Sequence, residues 1–263
     1  MRIGERDIMG RQNWTHDELI IAFNLYCKTP FGKIHVRNPE IISLAKLLGR
    51  TPAAVSWKLA NFARLDPTLR ARNITGAAHG SKEDIEIWNK FNNNWEMLSF
   101  ESEKLIAKLN GEVLEEVVTT NEIELTHTGK ERDAMVRVRV NQNFFRATVL
   151  AAYNNKCCIT KLAVPELLNA SHIIPWSIDI VNRVNPRNGL CLNAIHDRAF
   201  DRGLLTITTD YQVKISSKIK SFPITESLKT FLLNFDGMKM DLPDRFVPNI
   251  SFLDYHNKNI FVS

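Results

Sequence analysis

The sequence predicts an α+β protein in which an all-helical N-terminal part precedes a smaller unit of two strands and a helix. Residues 15–117 hold amphipathic segments that begin with helix-capping residues. Residues 157–209 instead hold short apolar and β-branched runs around an Asn-Gly pair. The polar segment between them has no core pattern, so we expect domains at residues 1–120 and 134–263, joined by a linker at 121–133.

Composition narrows the class of protein. The chain has 263 residues, enough to bury a full core, and 44% of them are hydrophobic, as in ordinary folded domains. A net charge of +5 favours an anionic partner, although many basic proteins bind nothing acidic. No apolar run suits a membrane span and the N-terminus is too polar for a signal peptide, so we expect a cytoplasmic protein without a membrane partner. The four cysteines include no C-x-x-C pair, which argues against a four-cysteine zinc site.

Capping and apolar spacing predict five helices in the N-terminal part, at about residues 16–28, 39–48, 52–65, 82–91 and 97–117. Thr15 and Glu18 form a capping box before the first, and Pro39 and Pro52 suit the first turns of the next two. We expect the tryptophans of this part to be core anchors rather than a base-stacking platform: Trp14, Trp57, Trp88 and Trp95.

The second and third helices are separated by a short turn, which is the spacing of a helix-turn-helix. Residues 52–64 would then be a recognition helix, and its polar positions suit contacts with phosphates and base edges: Arg50, Ser56, Lys58, Asn61 and Arg64. The alternative is a helical hairpin whose charged side chains are only solvated.

The C-terminal part predicts a short strand or extended segment at 135–140, a helix at 144–154, strands at 157–160 and 167–176, a helix at 193–200 and a strand at 204–209. Strand, strand, long loop and helix make a ββα unit. Residues 225–235 predict another helix, and residues 251–261 are expected to pack back on this unit as a C-terminal extension.

The chemistry is concentrated in residues 170–203. His172 lies at a strand edge, Asn188 ends a loop, and a short helical pattern carries His196, Asp197 and Asp201. A base, an orienting amide and metal ligands in this order favour metal-assisted cleavage of a phosphodiester.

The C-terminal part resembles the HNH (His-Asn-His) endonucleases, in the form found in predicted restriction enzymes, over about residues 135–220. The fragments that carry the resemblance are NQNFFR (141–146), CCIT (157–160), SHIIPW (171–176), NPRNGL (185–190) and HDRAFDRG (196–203). The N-terminal stretch from WTHDEL to FARLDP is similar to a segment that often precedes that domain. The resemblance implies a ββα-metal fold and a metal-dependent endonuclease acting on double-stranded DNA.

In that family the residue at His172 is the general base, the one at Asn188 fixes the loop, and the one at His196 is a metal ligand on the helix. We prefer His196 with Asp201 as ligands and keep Asp197 in reserve. Asp201 lies five residues after His196, about 140° round an ideal helix, so both face one ion only if the helix ends near Phe200. Asp201 can also pair with Arg198 or Arg202.

The chain departs from the family pattern at Ser171, where many members carry Asp or His as a second ligand. We expect Mg²⁺ or Mn²⁺, held by few protein ligands plus water and phosphate oxygens, with Zn²⁺ or Ni²⁺ as alternatives because of His196. Arginines around the site either bind phosphates or form salt bridges within the fold: Arg183, Arg187, Arg198 and Arg202.

The leading hypothesis is a restriction-type DNA endonuclease in which the helical part engages DNA and the ββα unit cuts it. Cutting both strands with one site per chain favours a homodimer. One alternative is a helix-turn-helix DNA-binding regulator with a degenerate, inactive HNH fold. Another is a nuclease effector that a partner or small molecule activates.

Overall fold

The structure, a computed structural model, describes residues 13–74, 80–114 and 130–263. It has the predicted α+β composition, with a helical N-terminal region and small antiparallel sheets in the C-terminal part. The N-terminal helices are α1 (His16–Lys28), α2 (Pro39–Leu47), α3 (Pro52–Leu65), α4 (Pro67–Ala71), α5 (Lys82–Phe91) and α6 (Trp95–Asn110). Within the described ranges, no helix is both long and apolar enough to cross a membrane.

Local capping explains where these helices begin. The Thr15 hydroxyl accepts the N–H of Glu18, and the Glu18 carboxylate accepts the N–H of Thr15, so the predicted capping box is present. Ser81 and Asp84 form a second one before α5. Helix α6 ends earlier than predicted because Gly111 adopts a left-handed conformation (φ 72°) that terminates it. Residues 115–117 of the predicted helix lie outside the described part.

The C-terminal elements are α7 (Lys130–Ala152), β1 (Leu168–His172), β2 (Gly189–Asn193), α8 (Ala194–Asp201), β3 (Leu205–Ile207), β4 (Val213–Ile215), α9 (Glu226–Phe231) and α10 (Ile250–Asn259). Strands β1 and β2 are antiparallel, with His172 opposite Gly189. Strands β3 and β4 form a second antiparallel pair. The ββα unit therefore consists of β1, β2 and α8.

The prediction of an extended segment at residues 135–140 is wrong, because these residues lie within α7. Val136, Val140 and Phe144 are all buried, and their spacing of four places them on one helix face. The alternation of valines with Arg137 and Arg139 suggested a strand, but over six residues it fits a helix as well. Helix α7 begins inside the predicted linker, whose residues 121–129 lie outside the described part.

The strand predicted at residues 157–160 is also wrong. This apolar run forms a buried turn, in which the N–H of Cys157 donates to the Leu162 carbonyl and that of Cys158 to the Cys191 carbonyl. The hairpin of the ββα unit therefore joins residues 168–172 to 189–193. Strand β1 ends before Ile173 because the next two N–H groups bind Asn188 instead of a strand.

Helix α7 packs against both parts of the chain. On one side Phe144 lies 6.5 Å from the ring of Trp95, and Asn141 accepts a hydrogen bond from Ser99 of α6. On the other side α7 contacts β1 and β2. Buried apolar residues of both parts form one continuous core. The proposed division into two domains stays a prediction.

The C-terminal extension also joins the two parts, through a buried arginine. The guanidinium of Arg245 is fully buried and donates to the carbonyls of Tyr26 (2.7 Å) and Thr29 (2.6 Å) at the end of α1. Its neighbour Asp244 accepts hydrogen bonds from Arg72 and Asn154, each at 2.7 Å. These contacts tie the end of α1 to the residues that follow α7.

Arg245→Met should lower the free energy of unfolding by about 3 kcal/mol, because it leaves buried carbonyl groups without donors. Arg72→Met is the matched control. Its ion pair with Asp244 is more exposed, so the loss should be below about 1 kcal/mol. Denaturant unfolding of the three proteins measures both values, and equal losses would contradict this account of Arg245.

Helix α10 is anchored by a buried histidine. His256 Nε2 donates to the Phe200 carbonyl at 3.2 Å, its Nδ1 lies 2.8 Å from the Thr206 hydroxyl, and its ring stacks on that of Phe200. Burial lowers the pKa of His256 to about 4, and the hydrogen bond to Phe200 only partly opposes this shift. The folded protein therefore holds this histidine in its neutral form.

This histidine should make the fold sensitive to acid. As pH falls below about 6.5, His256 is protonated in the unfolded chain, whereas in the folded state it stays neutral until about pH 4. The contribution of His256 to the free energy of unfolding has its full value above pH 6.5 and falls by about 3 kcal/mol between pH 6.5 and pH 4. Unfolding of His256→Gln, measured over this range, should show a pH dependence smaller by that amount. An unchanged dependence would contradict the assignment.

Candidate functional site

The ββα unit forms an open cleft at the end of its hairpin. His172 is the last residue of β1, a loop of residues 173–188 leads to β2, and α8 follows β2 directly. The cleft has a volume of about 460 Å³, and its walls include His172, Trp176, Asp197, Arg198, Asp201 and Arg202. The hairpin, the loop and the helix thus each contribute side chains to one site.

The ring of His172 is held in a defined orientation. Its Nε2 lies 2.8 Å from the carbonyl oxygen of Arg183. Because a carbonyl can only accept, Nε2 carries the proton, and Nδ1 keeps its lone pair. The ring stacks on Phe145 at 3.8 Å between centroids, and the edge of Trp176 lies 5.5 Å away. Burial lowers the pKa of His172 below its usual value, so the ring is neutral near pH 7 and can accept a proton.

Asn188 closes the loop and is fully buried. Its side-chain oxygen accepts the N–H of Ile174 (2.8 Å), and its amide donates to the carbonyls of Ile174 (3.1 Å) and Asn182 (3.4 Å). Asn182 immediately precedes Arg183, whose carbonyl orients His172. The amide of Asn188 is thus connected, through Asn182, to the loop segment that holds the histidine, and its role in orienting the base stays a prediction.

The structure departs from the sequence expectation at His196, which is buried and is not among the residues that line the cleft. Its Nε2 lies 2.7 Å from the Phe231 carbonyl, and its Nδ1 lies 3.3 Å from the side-chain amide of Asn193. Both ring nitrogens are engaged within the fold. Helix α8 has Asp201 as its last residue, so the helix ends one residue after Phe200.

Asp197 and Asp201 are four residues apart, so they share one face of α8, and both line the cleft. The Asp197 carboxylate accepts hydrogen bonds from the Ser171 hydroxyl and from Asn169 Nδ2 (2.6 Å). Burial raises the pKa of Asp201, the Asp197 carboxylate raises it further, and Arg198 and Arg202 oppose the shift. Two neighbouring carboxylates that repel each other suit a divalent cation.

The donor set is small. Across the described ranges, no group of three or more His, Cys, Asp or Glu side chains is placed to hold a metal ion. Two carboxylates would leave most coordination positions to water and phosphate oxygens, an arrangement that Mg²⁺ tolerates well. Ser171 is buried against Asp197 and is better described as orienting that carboxylate than as replacing a missing ligand.

The arginines near the site fall into two groups. Arg198 and Arg202 are exposed and line the cleft. The Arg183 side chain lies over Trp176 at 5.1 Å and approaches Glu96 at 4.0 Å. Burial raises the pKa of the Tyr211 phenol, and the positive charge of Arg187 partly opposes this increase. Arg187 is not part of the cleft wall.

Sequence reasoning missed the contribution of α7. A second cleft of about 280 Å³ adjoins the first, and both share His172 and Asp197 as lining residues. Gln142, Phe145 and Arg146 of α7 line its other side. These residues belong to the NQNFFR fragment, which carried the family resemblance but was given no role. Their place beside the histidine depends on tertiary packing.

The candidate recognition helix uses its polar side chains differently from the sequence prediction. Lys58 is buried, with its Nζ 2.7 Å from the Asp84 carboxylate, and Asn61 donates to the same carboxylate at 3.0 Å. Arg50 pairs with Glu18 at 2.7 Å and lies over Trp14. These interactions hold the helices together, and they are not available to DNA without breaking the bundle.

Other features of this helix pair fit the prediction better. Helices α2 and α3 are separated by the four residues 48–51, as a helix-turn-helix requires. Arg64 is partly buried and packs against Gly80. Trp88 and Trp95 are core anchors as expected, whereas Trp57 is 62% exposed, contrary to expectation. The helix-turn-helix stays a prediction.

The comparison with known families agrees with this geometry. Residues 157–208 match the family model described as HNH endonuclease, whose members generally use a divalent metal. No curated protein matches the chain. The matched segment spans β1, the loop, β2 and α8, so it contains His172, Asn188 and both cleft aspartates. This segment of the chain is therefore similar to the HNH endonucleases.

Proposed function

We propose that the protein is a metal-dependent, restriction-type endonuclease that hydrolyses phosphodiester bonds of double-stranded DNA, with His172 as general base. The observation that carries the proposal is the orientation of this histidine. The Arg183 carbonyl accepts a hydrogen bond from Nε2 of His172. Among the described residues, none forms a hydrogen bond with Nδ1 of His172. That nitrogen belongs to a ring in the wall of an open cleft, beside two carboxylates and two exposed arginines.

His172 would take a proton from the water that attacks phosphorus. Its neutral form is the reactive one, and burial favours that form. Phe145 and Trp176 restrict the ring plane, and the Arg183 carbonyl stabilises the cation that forms when Nδ1 gains the proton. The acceptor nitrogen is thus set in position before DNA binds.

Asp197 and Asp201 would hold the metal ion, which supplies positive charge at the phosphate and at the leaving oxygen when bound. Ser171 and Asn169 fix the orientation of Asp197. Arg198 and Arg202 are placed to hold phosphates at the mouth of the cleft, and Arg146 approaches from the side of α7. Ser171 therefore has a role in an active site and does not argue for an inactive one.

In this proposal the N-terminal helices contact DNA outside the cleft, through side chains other than those buried in the bundle. The family segment contains the residues to which we assign cutting, so the helical part would supply recognition. Cutting both strands would require two chains, which favours a homodimer. Cleavage of modified and unmodified plasmid over a series of divalent metals tests the restriction class.

Cleavage should depend on the histidine base. His172→Ala should reduce the rate of plasmid nicking in Mg²⁺ or Mn²⁺ by at least about 100-fold, since general-base catalysis contributes on this scale. DNA binding in EDTA, measured by gel shift, should be retained. His35→Ala, at an exposed histidine of the helical part, is the matched control and should cut as the wild type does. Normal cutting by the His172 variant would disprove the base assignment.

Metal binding should depend on the two cleft carboxylates and not on the buried histidine. Asp197→Asn and Asp201→Asn should each weaken Mn²⁺ binding, measured by titration calorimetry, by about tenfold or more, because each removes a charged ligand. His196→Gln should lower thermal stability, since it disturbs the contacts with Phe231 and Asn193. Its folded fraction should bind Mn²⁺ with nearly wild-type affinity. If His196→Gln abolishes binding and the aspartate variants do not, the sequence-based choice of His196 is correct.

A further inference from the structure

The loop between β1 and β2 exposes three aliphatic side chains within four consecutive residues. Ile178 is 54% exposed, Ile180 64% and Val181 89%. Single exposed apolar residues are common, but such a cluster beside a functional cleft marks an interaction surface. We call Ile178, Ile180 and Val181 the apolar tip.

The tip is held in shape by hydrogen bonds within the loop. The Asp179 carboxylate accepts the N–H groups of Val181 (3.1 Å) and Asn182 (3.0 Å) and the side-chain amide of Asn182 (2.8 Å). Asn188 then binds the Asn182 carbonyl from the core side. The conformation that exposes the aliphatic side chains is therefore specified by several polar groups.

The same loop carries parts of the active-site cleft. Pro175 and Trp176, before the tip, line the cleft, and the Arg183 carbonyl, after the tip, orients His172. Whatever docks on the tip must therefore lie close to the reacting phosphate. This continuity favours the substrate itself over a separate partner.

The charges around the tip favour a polyanion. Arg183 follows the tip and approaches Glu96 at 4.0 Å, and Arg198 and Arg202 line the adjoining cleft together with the two proposed metal ligands, Asp197 and Asp201. Asp179 is the one acidic residue in the sequence of residues 177–187, and its carboxylate is occupied by groups of the loop. Exposed apolar side chains on a loop whose adjoining cleft carries arginines match the proteins that insert an aliphatic wedge between base pairs from the minor groove.

We propose that the apolar tip is such a wedge: it enters the minor groove and partly unstacks a base step next to the bond that is cut. This inference rests on the proposed function, because it takes double-stranded DNA as the substrate. Unstacking kinks the duplex and would bring the neighbouring phosphate towards His172. Pyrimidine–purine steps unstack most easily, so cleavage should be enriched beside TA and CA steps.

The test uses full-length protein and permanganate, which oxidises thymines that are unstacked. Wild-type protein bound to duplex DNA in EDTA should increase thymine reactivity at discrete steps. The double variant Ile180→Ser, Val181→Ser should still bind DNA but lose most of this increase, and it should cut intact duplex about tenfold more slowly or worse. A duplex with a mismatch at the mapped step should restore most of the rate, because its bases are already unstacked.

The matched control is the double variant Val36→Ser, Ile224→Ser, which changes the same residue types at positions 48% and 52% exposed away from the cleft. It should behave as the wild type in every assay. Both double variants change only exposed side chains, so both should keep the wild-type thermal midpoint.

The outcomes separate this inference from the proposed function. If wild-type protein binds DNA without any increase in thymine reactivity but cuts it, the wedge is disproved and the nuclease stands. If reactivity increases and depends on the tip but no metal supports cleavage, the wedge stands and the nuclease fails. If the tip variant keeps the reactivity but shifts the sedimentation of the protein from dimer to monomer, the tip is an interface between two copies and the wedge is disproved.

Discussion

The close approach of β2 to α7 is the constraint on which the site depends. Gly189 has no room for a side chain: a Cβ there would collide with Val149 Cγ2 and lie 2.9 Å from Phe145 Cζ. Its φ of −130° is available to any residue, so the glycine is required for space and not for conformation. The hairpin thus lies directly on α7, and this contact places Phe145 under the ring of His172.

Because α7 also packs on α1 and α6, the helical part supports the candidate site indirectly. Lys28 of α1 lies 5.7 Å from the Phe144 ring, next to the residue that stacks on His172. Arg245 adds a second connection, from the C-terminal extension to the end of α1. Interiors transmit strain because they are close-packed, so a change at these contacts would reach the histidine. The family segment alone lacks both supports.

The parts of this fold that sequence reasoning predicted are those specified locally. Thr15 and Ser81 cap helices through neighbouring backbone groups, and their patterns are visible in the chain. The errors occurred where distant contacts decide the structure. Residues 157–160 are apolar enough for a strand, but the Cys191 carbonyl takes one of their N–H groups and a turn results. In the sequence alone, Lys58 and Asn61 fit a recognition helix. In the fold, both side chains donate to the carboxylate of Asp84, which is more than 20 residues away in the chain.

The choice between His196 and Asp197 illustrates the same limit at the level of chemistry. Helical spacing by itself favoured Asp197 with Asp201, whereas family position favoured His196. The neighbours of each residue settle where the side chains lie: the Phe231 carbonyl, 35 residues away in sequence, holds His196 inside, and Ser171 with Asn169 turns Asp197 into the cleft. A serine that looked like a lost ligand becomes part of the arrangement that positions a carboxylate. The same ββα frame therefore brings His172, the buried amide of Asn188 and the carboxylates of Asp197 and Asp201 together around one hairpin and helix.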